Sequence, residues 1–160
     1  MSQINPSPET GRIADQLLRA IAGSAWHGPD LTALLSDVDA TAAATRPIAG
    51  AHTIWELVLH VTAWADVVRR RLGGQPVEPS PEEDWPVPLE RTEAAWRRDV
   101  SAMREAHERL RTAILTLDPA RLDEQTVGKP DSLYVLLQGA VQHAAYHGGQ
   151  VAILKRALHA

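Results

Sequence analysis

Apolar residues recur along this chain at steps of three and four, the spacing that places them on one face of an α-helix. The clearest stripe lies within residues 89–117 and consists of Trp96, Val100, Met103, His107, Leu110, Ile114 and Leu117. The same spacing predicts three further long helices, at about residues 9–23, 53–72 and 132–158. No segment shows the alternation typical of a strand, so the pattern predicts an all-α four-helix bundle.

Local signals indicate where some of these helices begin and end. Thr53 followed by Glu56 fits a capping box, and the glycine pair at 73–74 would end that helix. Asp30 fits the N-cap of a short helical piece in the connector after the first helix. Residues 75–88 contain five prolines, which predicts a long crossover without helix, whose Trp85 packs over one end of the bundle.

Composition narrows the setting in which the protein works. At 160 residues the chain suits one domain, residues 1–160, and its net charge of -4 includes no basic stripe for nucleic acid. An apolar run of membrane-spanning length and a secretory leader are both missing, so we expect a cytoplasmic protein with no membrane partner. The chain has no cysteine, so any thiol chemistry needs a thiol from outside.

Three histidines are the candidates for chemistry. His143 and His147 stand four residues apart in the last predicted helix, on its apolar face, where two imidazoles can share one metal ion. His60 lies on the apolar face of the second predicted helix, and helices of a bundle commonly build a site between them. Hydrogen-bonded core histidines are the alternative reading. Ala144 stands where a zincin helix has its glutamate, so a metalloprotease is excluded.

Three histidine ligands would leave one position of the metal open, as in catalytic sites. The chain has no pair of Glu-x-x-His motifs for a di-iron site, so a mononuclear metal is the better fit. Gln150, one turn beyond His147, and Glu56, one turn before His60, are candidates for orienting the ligands. His107 is predicted to be a core histidine first and a wall of the site second.

Residues 52–64 (HTIWELVLHVTAW) and 142–150 (QHAAYHGGQ) together resemble the DinB/YfiT-like superfamily. Trp26 with the following Gly-Pro, the leucine pair at 34–35 and the Arg-Pro at 46–47 resemble its first inter-helix segment. The resemblance implies an up-down-down-up bundle, a divalent metal, commonly zinc or nickel, on His60, His143 and His147, and a homodimer. Characterised relatives include thiol transferases that use mycothiol, bacillithiol or glutathione.

The resulting hypothesis is a metal-dependent enzyme that joins a low-molecular-weight thiol to an electrophile. One alternative is a metal-dependent hydrolase, which needs a general base, and the sequence offers Glu56 alone for that role. The other is a non-catalytic metal- or ligand-binding protein of stress responses. It would hold metal without turning over any thiol and electrophile.

Overall fold

The structure, a computed structural model, describes residues 8–158. In chain order its helices are α1 (Glu9–Ala22), α2 (Leu31–Leu35), α3 (Ala40–Ala44), α4 (Ile54–Leu72), α5 (Pro81–Asp84), α6 (Glu93–Leu115), a 3-10 turn at Pro119–Asp123, and α7 (Leu133–Ala157). No strand forms in this part of the chain, which confirms the all-α prediction. The predicted domain, residues 1–160, also includes residues 1–7 and 159–160, which lie outside the described residues.

Helix caps explain why the two helices that carry the candidate histidines begin where they do. Thr53 accepts a hydrogen bond from the Glu56 amide, and the Glu56 carboxylate accepts one from the Thr53 amide, so the predicted capping box is confirmed. The Ser132 side chain caps α7 by accepting a hydrogen bond from the Val135 amide. Because such a cap stabilises a helix by about 1 kcal/mol, these residues set the register of the helices. α6 begins later than predicted, after its cap Thr92.

The four long helices pack so that α4 and α1 each contact both α6 and α7. The beginnings of α4 and α6 lie side by side, because the Trp55 indole donates to Asp99 at 2.8 Å and packs against Trp96. These two helices are therefore parallel. The end of α4 shares a cavity with the beginning of α7, so those two helices are antiparallel. Consecutive parallel helices need a connection that runs the length of the bundle.

That connection, residues 73–92, contains the one wrong prediction about secondary structure. It was expected to lack helix, yet Pro81–Asp84 forms the single turn α5. Pro81 stands in the first turn, where a missing amide hydrogen costs nothing, and Ser80 and Glu83 form a capping box around it. The turn directs Trp85 towards α4, where it lies between two histidine rings and not over an end of the bundle.

The core is built from the apolar faces that the periodicity predicted. Its largest fully buried side chain is Trp55, and Leu17, Met103 and Leu137 come from the other long helices. In the connector between α1 and α4, Asp30 caps α2 as predicted. None of the helices in residues 8–158 combines the length and the apolar character that crossing a membrane requires.

Candidate metal centre

α4 and α7 bring three histidine rings to one point inside the bundle. The Nε2 atom of His143 lies 3.0 Å from Nε2 of His60 and 3.0 Å from Nε2 of His147. One ring nitrogen from each residue lies within 4.8 Å of the other two. His60 and His147 are buried and His143 is half-buried. The structure therefore brings together the three residues that the sequence singled out, across 83 residues of chain.

The other nitrogen of two of these rings is already engaged. His60 Nδ1 donates to the backbone carbonyl of Asp84 at 2.6 Å, and His147 Nδ1 donates to Oε1 of Gln150 at 2.6 Å. A neutral imidazole carries one proton, so a proton on Nδ1 leaves a lone pair on Nε2. Two such lone pairs point at His143, whose own Nε2 can donate to only one of them. A cation at this point would bind the Nε2 lone pairs of all three histidines.

The environment keeps these rings neutral. Burial, followed by the neighbouring His147 and His60, lowers the pKa of His143 to about 3. Burial also lowers the pKa of His60 and of His147, although the hydrogen bonds to Asp84 and Gln150 act in the opposite direction. Metal ligands must be deprotonated, and near pH 7 all three histidines meet that condition.

The donor set fits a small divalent metal. Zinc lies about 2.0–2.1 Å from imidazole nitrogen, and tetrahedral geometry then separates neighbouring nitrogens by about 3.3 Å. The observed 3.0 Å separations need adjustments of a few tenths of an ångström. Three neutral imidazoles suit zinc, copper, iron or nickel, and are a poor set for magnesium or calcium.

The triad forms part of the wall of a cavity of about 640 Å³ between α4 and α7. Most of the other wall residues on these helices and on α6 are apolar, among them Val61, Val68, Leu110, Val135 and Leu136. Polar groups gather at the far end, where Arg71, Thr126, Lys129 and Asp131 line the same space. A molecule of moderate size therefore has room beside the histidines.

The crossover closes one side of the triad. The Trp85 indole stacks on the His60 ring at 3.8 Å and, on its other face, on the His52 ring at 3.6 Å. The Asp84 carboxylate accepts a hydrogen bond from the Trp64 indole at 2.6 Å and lies 3.3 Å from His60 Nδ1. Asp84 thus holds both His60 and a wall of the cavity in place.

The residues predicted to orient the ligands lie in different places. Gln150 contacts His147 directly. Glu56 does not line the cavity, and its carboxylate binds Arg46 at 2.8 and 3.0 Å and the Thr53 amide at 2.8 Å. His107 is both a core residue and a wall of the cavity: its Nδ1 donates to the Met103 carbonyl, and burial lowers its pKa to about 4.

Sequence reasoning missed Asp84 and Arg71. Asp84 acts partly through its backbone carbonyl, which every residue has, so no residue type could have indicated it. Arg71 follows two other arginines at the end of α4 and looks like a surface charge in the sequence, yet its side chain is buried. Tyr146, the residue before His147, is exposed, although it lines the cavity.

Comparison with known proteins adds one match. A family model described as the DinB superfamily matches residues 25–151, which include the three histidines and Gln150. No curated protein and no solved structure matches the chain. The match agrees with the resemblance seen in the two histidine-containing segments.

Proposed function

The chain belongs to the DinB superfamily, and from this premise we propose that it is a divalent-metal enzyme that transfers a low-molecular-weight thiol to an electrophile. In this proposal His60, His143 and His147 hold the metal, zinc or nickel. The thiol belongs to the class of mycothiol, bacillithiol and glutathione. A homodimer, which the resemblance implies, stays a prediction.

The proposal rests above all on the orientation of the three rings. Asp84 and Gln150 hold the protons of His60 and His147 on Nδ1, so that the Nε2 lone pairs converge beside His143. A core histidine without a ligand has no need for such an arrangement, because it brings unshared electron pairs together in a buried place. Ligand histidines are commonly held in this manner by a carbonyl or a side-chain oxygen.

Thiol transfer is supported by the chemistry of a bound metal, by the absence of cysteine and by the residues of the cavity wall. A bound divalent metal lowers the pKa of a thiol and so supplies a thiolate at neutral pH. The chain has no cysteine to act as the nucleophile. The cavity walls beside the triad are mostly apolar, while Trp64 and Trp85 provide flat surfaces for an organic molecule. The protein's residues would thus hold the two reactants together beside the metal.

One observation favours a second candidate, metal-dependent hydrolysis. The Asp84 carboxylate lines the cavity beside His60, where a general base for a water molecule would be needed. Glu56, the base considered from the sequence, is bound to Arg46 and its own helix terminus. Asp84 is therefore the residue that a hydrolytic mechanism would use.

The metal is tested by elemental mass spectrometry of protein purified without a histidine tag. We expect about one zinc or nickel per chain, lost in His143→Ala and retained in His52→Ala, whose exposed ring lies outside the triad. Circular dichroism should show the same helical content in all three proteins. Full metal occupancy in His143→Ala would refute the assignment.

The reaction is tested on the metal-loaded protein with glutathione, mycothiol and bacillithiol, each paired with monobromobimane. Transfer faster than the uncatalysed reaction, and absent in His143→Ala, would support the proposal. Hydrolysis of p-nitrophenyl acetate that is lost in Asp84→Asn would favour the hydrolase. Bound metal without turnover in either assay would favour a non-catalytic binding protein.

A further inference from the structure

The cavity beside the triad ends at a buried arginine. Arg71 lies eleven residues after His60 on α4, which places it about 16 Å further along the helix on nearly the same face. Its side chain reaches back towards the histidines, and the guanidinium carbon lies 5.4 Å from the centre of the Trp64 ring. That ring is 5.8 Å from the His143 ring. The guanidinium therefore lies within about 11 Å of His143.

Part of this guanidinium is fixed and part of it is free to bind. Nε and Nη2 of Arg71 donate to the Val77 carbonyl at 3.0 and 2.8 Å, which holds the fork in place. Nη1 has no hydrogen-bond partner among the residues that the structure describes. The nearest carboxylate, Glu78, is 3.6 Å from Nη2, is 65% exposed and also binds Lys129 at 2.5 Å. Glu78 does not line the cavity, so the one ion pair of Arg71 among the described residues lies outside the cavity wall.

The hydroxyl of Thr126, at the same end of the cavity, is a second buried donor without a hydrogen-bond partner among the described residues. Thr126 is 1% exposed, lines the cavity, and its hydroxyl has no partner within residues 8–158. Its backbone is held by Asp131, whose carbonyl accepts from the Thr126 amide at 2.9 Å. Its loop lies against the crossover, where Lys129 pairs with Glu78. A buried hydroxyl without a partner is costly, and a ligand oxygen would remove the cost.

We infer that Arg71 and Thr126 bind a carboxylate carried by the molecule that reacts at the histidine triad. This inference rests on the proposed function, because it takes the triad as the reacting end of the cavity. The free Nη1 can donate a charge-assisted hydrogen bond to a carboxylate oxygen, and a carboxylate also accepts a hydrogen bond from a hydroxyl. Lys129 and Asp131 also line this end; Lys129 is paired with Glu78, and Asp131 forms no ion pair with Arg71 within residues 8–158.

The geometry limits the length of that molecule. The separation of about 11 Å is an upper limit. For a carboxylate carbon that lies between the two ends, about 4 Å from the guanidinium carbon, the reacting atom beside His143 is at most roughly 7 Å away, or about six extended bonds. The wall between the two ends is apolar, with Val61, Val68 and Leu136. The substrate class is therefore a carboxylate whose reactive atom is separated from it by an apolar spacer of up to about six bonds.

The first test compares two thiols of this length on the wild-type protein loaded with zinc. Isothermal titration calorimetry should show that 6-mercaptohexanoate binds at least about tenfold more tightly than 6-mercaptohexanol, as expected for a charged hydrogen-bonded pair. The difference should disappear in Arg71→Met and shrink severalfold in the nearly isosteric Thr126→Val. Arg69→Met, which removes a half-buried arginine of the same helix that does not line the cavity, should keep it.

Two controls separate a lost anion site from a damaged protein. Arg71 also holds the crossover through Val77, so metal content and helical content are measured for every variant. The comparison of the two thiols on the wild-type protein needs no substitution. If both thiols bind the wild-type protein and bind it with equal affinity, the inference is overturned, whatever the variants do.

A second pair of probes separates this inference from thiol transfer. Heptanedioate and heptanoate are titrated into the same zinc-loaded protein, or into the protein as purified if it binds no metal. In one outcome neither thiol binds, but heptanedioate binds at least about tenfold more tightly than heptanoate, and this preference is lost in Arg71→Met. Thiol transfer is then wrong and the carboxylate site stands. If the wild-type protein discriminates within neither pair, the carboxylate site is wrong.

Discussion

The contact between Gln150 and His147 allows a sharp test of the metal centre, through the substitution Gln150→Ala. Gln150 Oε1 accepts the His147 Nδ1 proton at 2.6 Å, inside a part of the bundle where His147 is 5% exposed. This single contact keeps the His147 lone pair on Nε2, directed at the other two rings. Without it the ring can turn or take the other tautomer, and neither state presents Nε2 as a ligand.

The size of the effect follows from burial. A buried donor that loses its acceptor costs about 1–3 kcal/mol, which corresponds to a loss of roughly tenfold to a hundredfold in metal affinity. Alanine favours helix formation, so the substitution should not weaken α7 itself. The loss should therefore appear in metal binding, with the helical content unchanged.

The assay is competition for zinc between the protein and a chromophoric chelator at pH 7.5. Gln150→Glu should bind zinc at least as tightly as the wild type, because a carboxylate is a stronger acceptor than an amide. Gln142→Ala serves as the matched control, since Gln142 is an exposed glutamine of the same helix. An affinity of Gln150→Ala within twofold of the wild type would refute the role of Gln150.

Two further predictions concern the pH dependence of stability and the crossover. Burial lowers the pKa of His107 from 6.5 to about 4, so below pH 6.5 the unfolded chain binds a proton that the folded chain does not, and the free energy of unfolding falls as the pH falls towards 4. That decrease is about 3 kcal/mol, and urea unfolding of metal-free His107→Leu should show a shallower decline than the wild type between pH 7 and 4. Trp85→Ala removes the stack on His60 and should lower the melting temperature and the zinc affinity, whereas Trp26→Ala, at a fully exposed tryptophan, should change neither. Equal zinc affinity in the two tryptophan variants would contradict a supporting role for Trp85.

Much of the bundle could be predicted because its determinants are local. The spacing of apolar residues and the caps at Thr53 and Asp30 act within one or two turns of helix, so they can be recognised in the sequence. The four-residue step between His143 and His147 likewise places both on one face wherever the helix lies. The turn α5 was missed because five prolines outweighed the capping box of Ser80 and Glu83, which a single turn can use.

The sequence by itself therefore determined the helices, their apolar faces and the registers of the three histidines. Only the tertiary structure decided what surrounds those histidines. It brings the Asp84 carbonyl onto His60 across 24 residues, and it buries Arg71 beside a cavity at the end of α4. A carbonyl acceptor has no signature in a sequence, and an arginine near a helix end is usually exposed. Both contacts depend on the path of the crossover, which is set by long-range packing and not by neighbouring residues.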